Sequence, residues 1–299
     1  MEFHKSVLLQ ESVSGLAIKP GGLYVDVTFG GGGHAREILR QLDENGKLYA
    51  FDQDEEAIKN KSEDDRLIMI NQNFKYMRNF LRLYKAVPVD GILADLGVSS
   101  HQFDVAERGF STRFEGDLDM RMDKRKKLTA ADLINSGDEE KLTSLFRTYG
   151  ELPNAAKIAR TIVTAVKEQP IKTTARLKEV TEHLASRGKE NKFFAQVFQA
   201  LRIEVNEEMD ALRELLIQGK DLLKPGGRFV VISYHSLEDK LVKNYFRSGN
   251  FEGEISKDFY GNPLVPFRLV TRKAIVPGEE ETAGNNRARS AKLRIAEKI

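Results

Sequence analysis

Short apolar strands alternate with helical segments over the first hundred residues, and this alternation constrains the fold more than any other feature. The predicted strands lie in segments 22–28, 47–52, 67–70 and 89–96. Amphipathic helical segments separate them. This alternation is typical of a parallel sheet with helices on both faces. We therefore predict the α/β fold class for this part of the chain.

The alternation stops near residue 103 and resumes near residue 195. Residues 103–195 are more charged, and their apolar positions have helical spacing. A predicted helix at 194–216 then leads to the strand 223–233, and two last strands are expected in 266–276 and 291–296. We predict one Rossmann-like domain from residues 1–102 and 196–299. Residues 103–195 would form an inserted all-helical subdomain that recognises the substrate.

The composition of the 299-residue chain excludes several classes of chemistry. It holds no cysteine, which rules out disulfides, thiolate metal sites and a cysteine nucleophile. No apolar run approaches the length of a membrane span, and the polar residues 1–5 do not resemble a secretory signal. The formal net charge is only +2, which does not indicate a strongly basic nucleic-acid coat. We expect a cytoplasmic protein without a membrane partner.

A glycine loop between the first strand and first helix indicates a nucleoside cofactor. Asp52 ends the second strand, 22 residues after Gly30, where a carboxylate commonly accepts hydrogen bonds from a ribose diol. A dinucleotide is one alternative, but His34 stands where its fingerprint needs a third glycine. Asp26 would oppose a pyrophosphate and suits the ammonium and sulfonium of S-adenosylmethionine. We favour the methyl donor over a dinucleotide-dependent oxidoreductase.

Motifs along the whole chain resemble those of the ribosomal small-subunit methyltransferase H family, also called MraW. They are DVTFGGGGH (26–34), DLGVSSHQFD (95–104), AERGFS (106–111), DMRMD (119–123), YGE (149–151), FQALRI (198–203), SYHSLED (233–239) and RARS (287–290). The resemblance implies an S-adenosylmethionine-dependent methyltransferase with a Rossmann-like sheet. It also implies methylation at N4 of a cytidine in the decoding region of 16S ribosomal RNA, near the P site.

The resemblance also implies the cofactor contacts and the partner. The cofactor-binding residues carried over by motif are Gly32, Gly33, His34, Asp52, Phe74, Asp95 and Gln102. The implied partner is 16S ribosomal RNA within the small ribosomal subunit. The sequence leaves the oligomeric state open, a homodimer included, and no metal-ligand spacing stands out.

Two polar sets are candidates for substrate binding. Gln199, Arg202 and Asn206 form a stripe on the predicted 194–216 helix, which suits either a solvated face or contacts with RNA. Arg121 precedes the basic run 124–127, which is either solvated surface or an electrostatic contact with RNA.

Asp95, His235 and the region of Ser99 are candidates for the catalytic proton acceptor. Asp95 and His235 each follow a predicted strand, at the edge where open α/β sheets bind ligands. The sequence does not choose among them. Without a cysteine, the usual covalent route to C5 methylation is closed, which favours an exocyclic amine as methyl acceptor. An RNA-binding assembly factor with a vestigial pocket is the non-enzymatic alternative.

Overall fold

The computed structural model describes residues 6–299, except the side chains of Ser100 and His101; the polar residues 1–5 lie outside the described part. The chain divides into two compact units. The sheet unit comprises the chain up to Gly97 together with Asp210–Ile299, and the helical unit comprises Val98–Met209. In the described chain, no helix is long and apolar enough to cross a membrane.

Within residues 6–299, seven strands form one sheet of order β3-β2-β1-β4-β5-β7-β6. The strands are β1 Leu23–Asp26, β2 Lys47–Phe51, β3 Leu67–Ile70, β4 Val89–Asp95, β5 Leu223–Ser233, β6 Phe267–Leu269 and β7 Lys292–Lys298. Strands β1 to β5 pair in parallel, whereas β7 is antiparallel to both β5 and β6. The predicted α/β sheet is confirmed.

Helices cover the sheet and build the second unit. They are α1 Leu9–Leu16, α2 Gly33–Gln41, α3 Glu55–Ile58, α4 Met77–Leu83, α5 Ser100–Asp104, α6 Ala130–Asn135, α7 Glu139–Thr148, α8 Ala155–Glu168, α9 Thr174–Thr181, α10 Glu190–Asn206, α11 Glu208–Leu222, α12 Ser236–Ser248 and α13 Glu279–Gly284. The inserted helical region is therefore confirmed.

The central strands are buried because their side chains are apolar on both faces. Val25, Ile92 and Leu93 are fully buried, as are Val230 and Ile232 of β5. Continuous apolar strands of this kind need cover on both faces, which helices on a parallel sheet provide. Because β1, β2, β4 and β5 are parallel, their carboxyl ends lie side by side. We call each of the two borders of the sheet at which strands begin or end an edge.

The predicted 194–216 helix is two helices. Glu207 has a φ of 55°, in the left-handed region, and separates α10 from α11. The apolar stripe of α10 lies in the core of the helical unit, with Phe194, Phe198 and Leu201 all buried there. The compact units therefore divide after Gly97 and Met209, and all of α10 belongs to the helical unit.

Candidate cofactor and active site

The glycine loop between β1 and α2 is held in a fixed conformation. Gly30 and Gly32 have φ values of 51° and 72°, which side-chain-bearing residues rarely adopt. The Gly32 N–H donates to the Phe29 carbonyl at 2.8 Å, and the loop ends where α2 begins at Gly33. A Cβ added at Gly31 would meet nothing within 4 Å, so the loop backbone there faces open space. The first N–H groups of α2 lack acceptors within the helix and suit an anionic group.

Asp52 follows β2 and holds this loop. Its Oδ2 accepts from the Gly30 N–H and its Oδ1 from the Asp54 N–H, both at 2.8 Å. Burial raises the pKa of Asp52 to about 6, although these backbone donors lower it. Each carboxylate oxygen has a second lone-pair direction, so Asp52 can still accept a diol. The sequence indicated a ligand role for Asp52 but gave no sign that it also fixes the loop.

Asp26 ends β1 as a buried carboxyl group with an unsatisfied oxygen. Its Oδ1 accepts from the Thr28 N–H at 3.1 Å, and within the described residues no donor reaches its Oδ2. Burial raises the pKa of Asp26 to about 6, and nearby His34 lowers it. A buried carboxylate oxygen without a donor is costly unless a ligand satisfies it.

Asp95 ends β4 beside Tyr234 and His34. The Tyr234 hydroxyl donates to Asp95 Oδ1 at 2.6 Å, and His34 Nδ1 lies 3.8 Å from Asp95 Oδ2. Burial raises the pKa of Asp95 to about 7, against the lowering effect of the Tyr234 hydrogen bond. The Asp95 side chain keeps 22% of its surface exposed, so a bound molecule can contact it.

His34 is an interior side chain rather than a surface group. Its Nε2 lies 3.2 Å from the Val7 carbonyl, which can only accept, so Nε2 is the donor in this contact. Burial lowers the pKa of His34, although the Asp26 charge opposes this. The imidazole is therefore neutral near pH 7 and does not neutralise Asp95.

Phe74 follows β3 in a single turn of 3₁₀ helix and is half-buried. The amide of Asn73 donates to Gln53 Oε1 at 2.9 Å, and Asn71 donates to the Asp52 carbonyl at 3.0 Å. These bonds tie the segment before Phe74 to the loop after β2. The structure thus brings Asp52 and the segment carrying Phe74 to the same edge of the sheet.

His235 caps α12. Its Nδ1 accepts from the Glu238 N–H at 3.4 Å, and Glu238 Oε2 accepts from the backbone N–H groups of Tyr234 and His235. The structure therefore assigns His235 a helix-capping contact, and its catalytic role stays a prediction. Tyr234 is the contact that the sequence did not single out. Asp95 pairs with Ile232 in the sheet, so the residues that follow β5 lie beside Asp95. Only this register, and no local pattern, indicates that Tyr234 belongs to the site.

In the helical unit, Arg121 is bound internally. Its guanidinium pairs with both oxygens of Asp119 at 2.7 Å and donates to the Lys126 carbonyl at 2.6 Å. Lys126 and Arg125 have acidic partners in Glu207 and Asp123. Arg121 thus shapes the loop that carries the basic run.

The polar stripe on α10 also makes internal contacts. Asn206 is buried, accepts from the Met122 N–H at 2.8 Å and donates to the Met120 carbonyl at 2.7 Å. Gln199 donates to the Tyr149 carbonyl, and Arg202 forms a bidentate pair with Glu208 at 2.9 Å. Asn206 is thus not part of a solvated face; it anchors the 120–122 loop to α10.

Gln102 is buried in α5 of the helical unit. Its Oε1 accepts from the Ser99 N–H at 3.1 Å, and its own N–H donates to Ser99 Oγ at 3.3 Å. This reciprocal pair closes the first turn of α5. The cofactor contact implied for Gln102 stays a prediction.

A model of the MraW methylase family matches residues 1–299. The chain is 58% identical to the ribosomal RNA small subunit methyltransferase H of Christiangramia forsetii, over 100% of this chain and 99% of the relative. It is 59% identical to the protein of the same name from Flavobacterium johnsoniae, again over 100% and 99%. The relative from Phocaeicola vulgatus is 57% identical over 99% of this chain and 97% of its own length.

Proposed function

Because this chain belongs to the MraW methylase family, we propose that it transfers a methyl group from S-adenosylmethionine to N4 of a cytidine in small-subunit ribosomal RNA. The target is the cytidine of 16S ribosomal RNA in the decoding region, near the P site. The observation that carries the proposal is the partly buried Asp95 carboxyl at the sheet edge, held on one oxygen and accessible to a bound molecule.

The residues at this edge fit S-adenosylmethionine. Asp26 offers a buried oxygen without a donor, which an ammonium or sulfonium group would stabilise. Asp52 keeps lone pairs for a ribose diol, and the start of α2 suits a carboxylate. The open space beside Gly31 leaves room for a bound ligand to approach the loop backbone. When bound, this cofactor supplies an electrophilic methyl group.

The same carboxyl groups disfavour a dinucleotide. Asp26 and Asp95 interact with each other as like charges, and Asp52 adds a third carboxylate near Asp26. A pyrophosphate would add further negative charge to this cluster, which costs free energy in a partly buried site. The charge of the site therefore supports a cationic methyl donor over an oxidoreductase cofactor.

Asp95 is the proposed hydrogen-bond acceptor for the cytosine amine. Its Oδ1 is occupied by the Tyr234 hydroxyl, which leaves Oδ2 for an N–H of the substrate. Accepting this hydrogen bond localises the amine lone pair and provides a base for the departing proton. As a new N–CH3 bond would form, the S–CH3 bond of the bound methyl donor would break and its electron pair would return to sulfur. The amine proton would pass from N4 to the Asp95 carboxylate.

Tyr234 and His34 prepare Asp95 for this role. The pKa of Tyr234 is raised well above its usual value by burial and by the Asp95 charge, so its hydroxyl stays a donor. Burial lowers the pKa of His34 and so favours its neutral form, which adds no positive charge beside Asp95 to lower the carboxyl pKa. A carboxyl group with a pKa of about 7 is matched to proton transfer near neutral pH.

The helical unit is the proposed RNA-selecting part of the enzyme. Lys124 and Lys127 are exposed on the loop that Arg121 and Asn206 hold in place. Lysines there can contact phosphates, while Arg121 and Asn206 position the loop. Gln199 and Arg202 hold other parts of the helical unit through Tyr149 and Glu208. Because its substrate is a ribosomal subunit, we place the enzyme in the cytoplasm.

Single-turnover methyl transfer to purified small ribosomal subunits tests the proposal. We expect labelled methyl groups from S-adenosylmethionine to enter the RNA with the wild type. Asp95→Asn should lower the rate constant by about 100-fold or more, because general-base contributions are typically of that size. An inactive wild type that still binds the subunits would favour the assembly-factor alternative. Binding of a nicotinamide dinucleotide instead of the methyl donor would favour the oxidoreductase.

A further inference from the structure

A short hairpin before β6 presents two aromatic rings to solvent. We name residues 256–264 the aromatic hairpin. The Leu264 N–H donates to the Ser256 carbonyl at 2.8 Å, and the Asp258 N–H donates to the Asn262 carbonyl at 2.9 Å. Phe259 and Tyr260 at the tip are 98% and 85% exposed, the two highest values among the large apolar residues described.

The tip is organised in advance rather than loose. Asp258 Oδ1 accepts from the backbone N–H groups of Tyr260 and Asn262 at 2.9 and 2.8 Å, and Gly261 turns the chain with a φ of 87°. The two rings meet edge to face with centroids 5.6 Å apart. Rings held outward in this way lose little conformational entropy on binding and offer flat faces for stacking.

The base of the hairpin borders a hollow lined in part by Lys220, here called the Lys220 hollow. Leu264, Val265 and Pro266 line a cavity of about 380 Å³ together with Lys220 and the end of α12 at Ser248 and Gly249. Lys220 lies 4.0 Å from Asp221, but Asp221 pairs more closely with Arg78, at 2.6 Å. The adjacent Lys298 has a lowered pKa because of burial and the Lys220 charge. A bound anion would offset the charge repulsion between Lys220 and Lys298.

The hairpin lies at the opposite edge of the sheet from Asp95. Strand β6 is antiparallel to β7, and β7 is antiparallel to β5, so β6 runs parallel to β5. Phe267, the first residue of β6, therefore lies at the edge where β5 begins, whereas Asp95 lies at the carboxyl end of β4. A ligand that contacts both edges must span the length of the sheet.

We propose that the aromatic hairpin and the Lys220 hollow form a second RNA-contact surface, where unstacked bases stack on Phe259 and Tyr260 and a phosphate lies near Lys220. Aromatic faces beside cations are the combination by which proteins hold single-stranded RNA. Lys257 on the hairpin and the nearby residues Arg272 and Lys273 are also exposed cations, and between residues 255 and 276 only Asp258 is acidic. The partner class, ribosomal RNA, rests on the proposed function.

Binding and turnover of the double variant Phe259→Ala/Tyr260→Ala test this surface. We expect its Kd for small ribosomal subunits, measured by filter binding, to rise about tenfold or more, because stacking contributes substantially for each base. Its affinity for S-adenosylmethionine and its kcat with saturating subunits should stay unchanged. Lys220→Gln should reduce the salt dependence of binding.

Two variants serve as controls. Phe259→Tyr/Tyr260→Phe keeps both rings and should bind as the wild type does. Leu83→Ala removes another exposed apolar side chain, 72% exposed on α4, and should also leave binding unchanged. An unchanged Kd of the double alanine variant would overturn the proposal. If the variant also loses self-association in sedimentation, the hairpin is instead a contact between copies of the chain. Wild-type turnover in the same assay reports the proposed function separately.

Discussion

The protonation state of Asp95 makes the proposed methyl transfer depend on pH. Its pKa of about 7 is the balance between burial, which raises it, and the Tyr234 hydroxyl, which lowers it. The protonated form cannot receive the proton that leaves the substrate amine. The rate of methyl transfer should therefore rise with pH through about 7 and level off above it.

Tyr234→Phe should move this pH dependence upward. Removing the hydroxyl removes the contact that lowers the pKa of Asp95, so the rising limb shifts to higher pH and the rate at pH 7 falls. A pH profile of single-turnover rates measures the shift. Tyr245→Phe, the same substitution at a buried position on the last turns of α12, is the matched control. A Tyr234→Phe profile that coincides with the wild type would remove Tyr234 from this role.

Asp52→Asn should weaken cofactor binding and modestly destabilise the sheet unit. The amide lacks the charge that strengthens hydrogen bonds from a diol, a loss of about 1.5–3 kcal/mol. The amide also has one acceptor oxygen instead of two, so the N–H of Gly30 or of Asp54 loses its partner, which costs about 1 kcal/mol. Calorimetry with S-adenosylmethionine and urea unfolding measure the two effects.

Asp54→Asn is the control for that variant. Asp54 caps α3 through a hydrogen bond from the Glu56 N–H, and asparagine caps helices equally well. It removes the same charge two residues away and should change neither affinity nor stability appreciably. Equal cofactor affinity in Asp52→Asn and the wild type would contradict the assignment of Asp52 to the diol.

Asn206 of α10 anchors the 120–122 loop, and its contribution to the free energy of unfolding can be measured. Asn206 makes hydrogen bonds to Met122, Met120 and Arg202 from a buried position. Asn206→Ala leaves the Met122 N–H and the Met120 carbonyl without this partner, and we expect a loss of about 2–3 kcal/mol in unfolding free energy. Gln199→Ala, which removes a single half-buried contact, should cost less than 1.5 kcal/mol. Equal urea midpoints for the two variants would show that Asn206 does not anchor the loop.

Element positions were readable where the hydrophobic period was strong. The predicted strands at 47–52, 67–70 and 89–96 match β2, β3 and β4 within one residue, because each contains a short apolar run. The break between α10 and α11 was not readable. Neither glycine nor proline marks it, and Glu207 is held left-handed by tertiary contacts of its neighbours. Helix α1 was missed because only Leu9, Val13 and Leu16 carry its period.

The division of the chain into two compact units shows what hydrophobic periodicity alone does not determine. The apolar stripe of α10 predicted a buried face but not which core receives it, and that core is the one of the helical unit. The same limit applies to the site. Asp52 and Asp95 could be found from their places at strand ends, whereas Tyr234 acquires its role only through the pairing of β4 with β5. Contacts between distant segments depend on that register.

Two sheet edges are assigned to RNA-dependent roles in this enzyme. The edge with Asp95 carries the proposed chemistry, and the edge with the aromatic hairpin carries the proposed second contact. An enzyme that contacts RNA at both edges should prefer a folded subunit to a short oligonucleotide around the target cytidine. The preference should be smaller in the double alanine variant of the hairpin, in which the proposed contacts of the helical unit remain.

The central claim is the identity of the methylated atom. The chain has no cysteine to form the covalent adduct that C5 methylation usually needs, and Asp95 offers an acceptor for an exocyclic amine. Mass spectrometry of nucleosides from small-subunit RNA treated with the enzyme and S-adenosylmethionine tests it most directly. We predict N4-methylcytidine as the new nucleoside. If 5-methylcytidine or a 2′-O-methyl nucleoside is the sole new product, the account is contradicted.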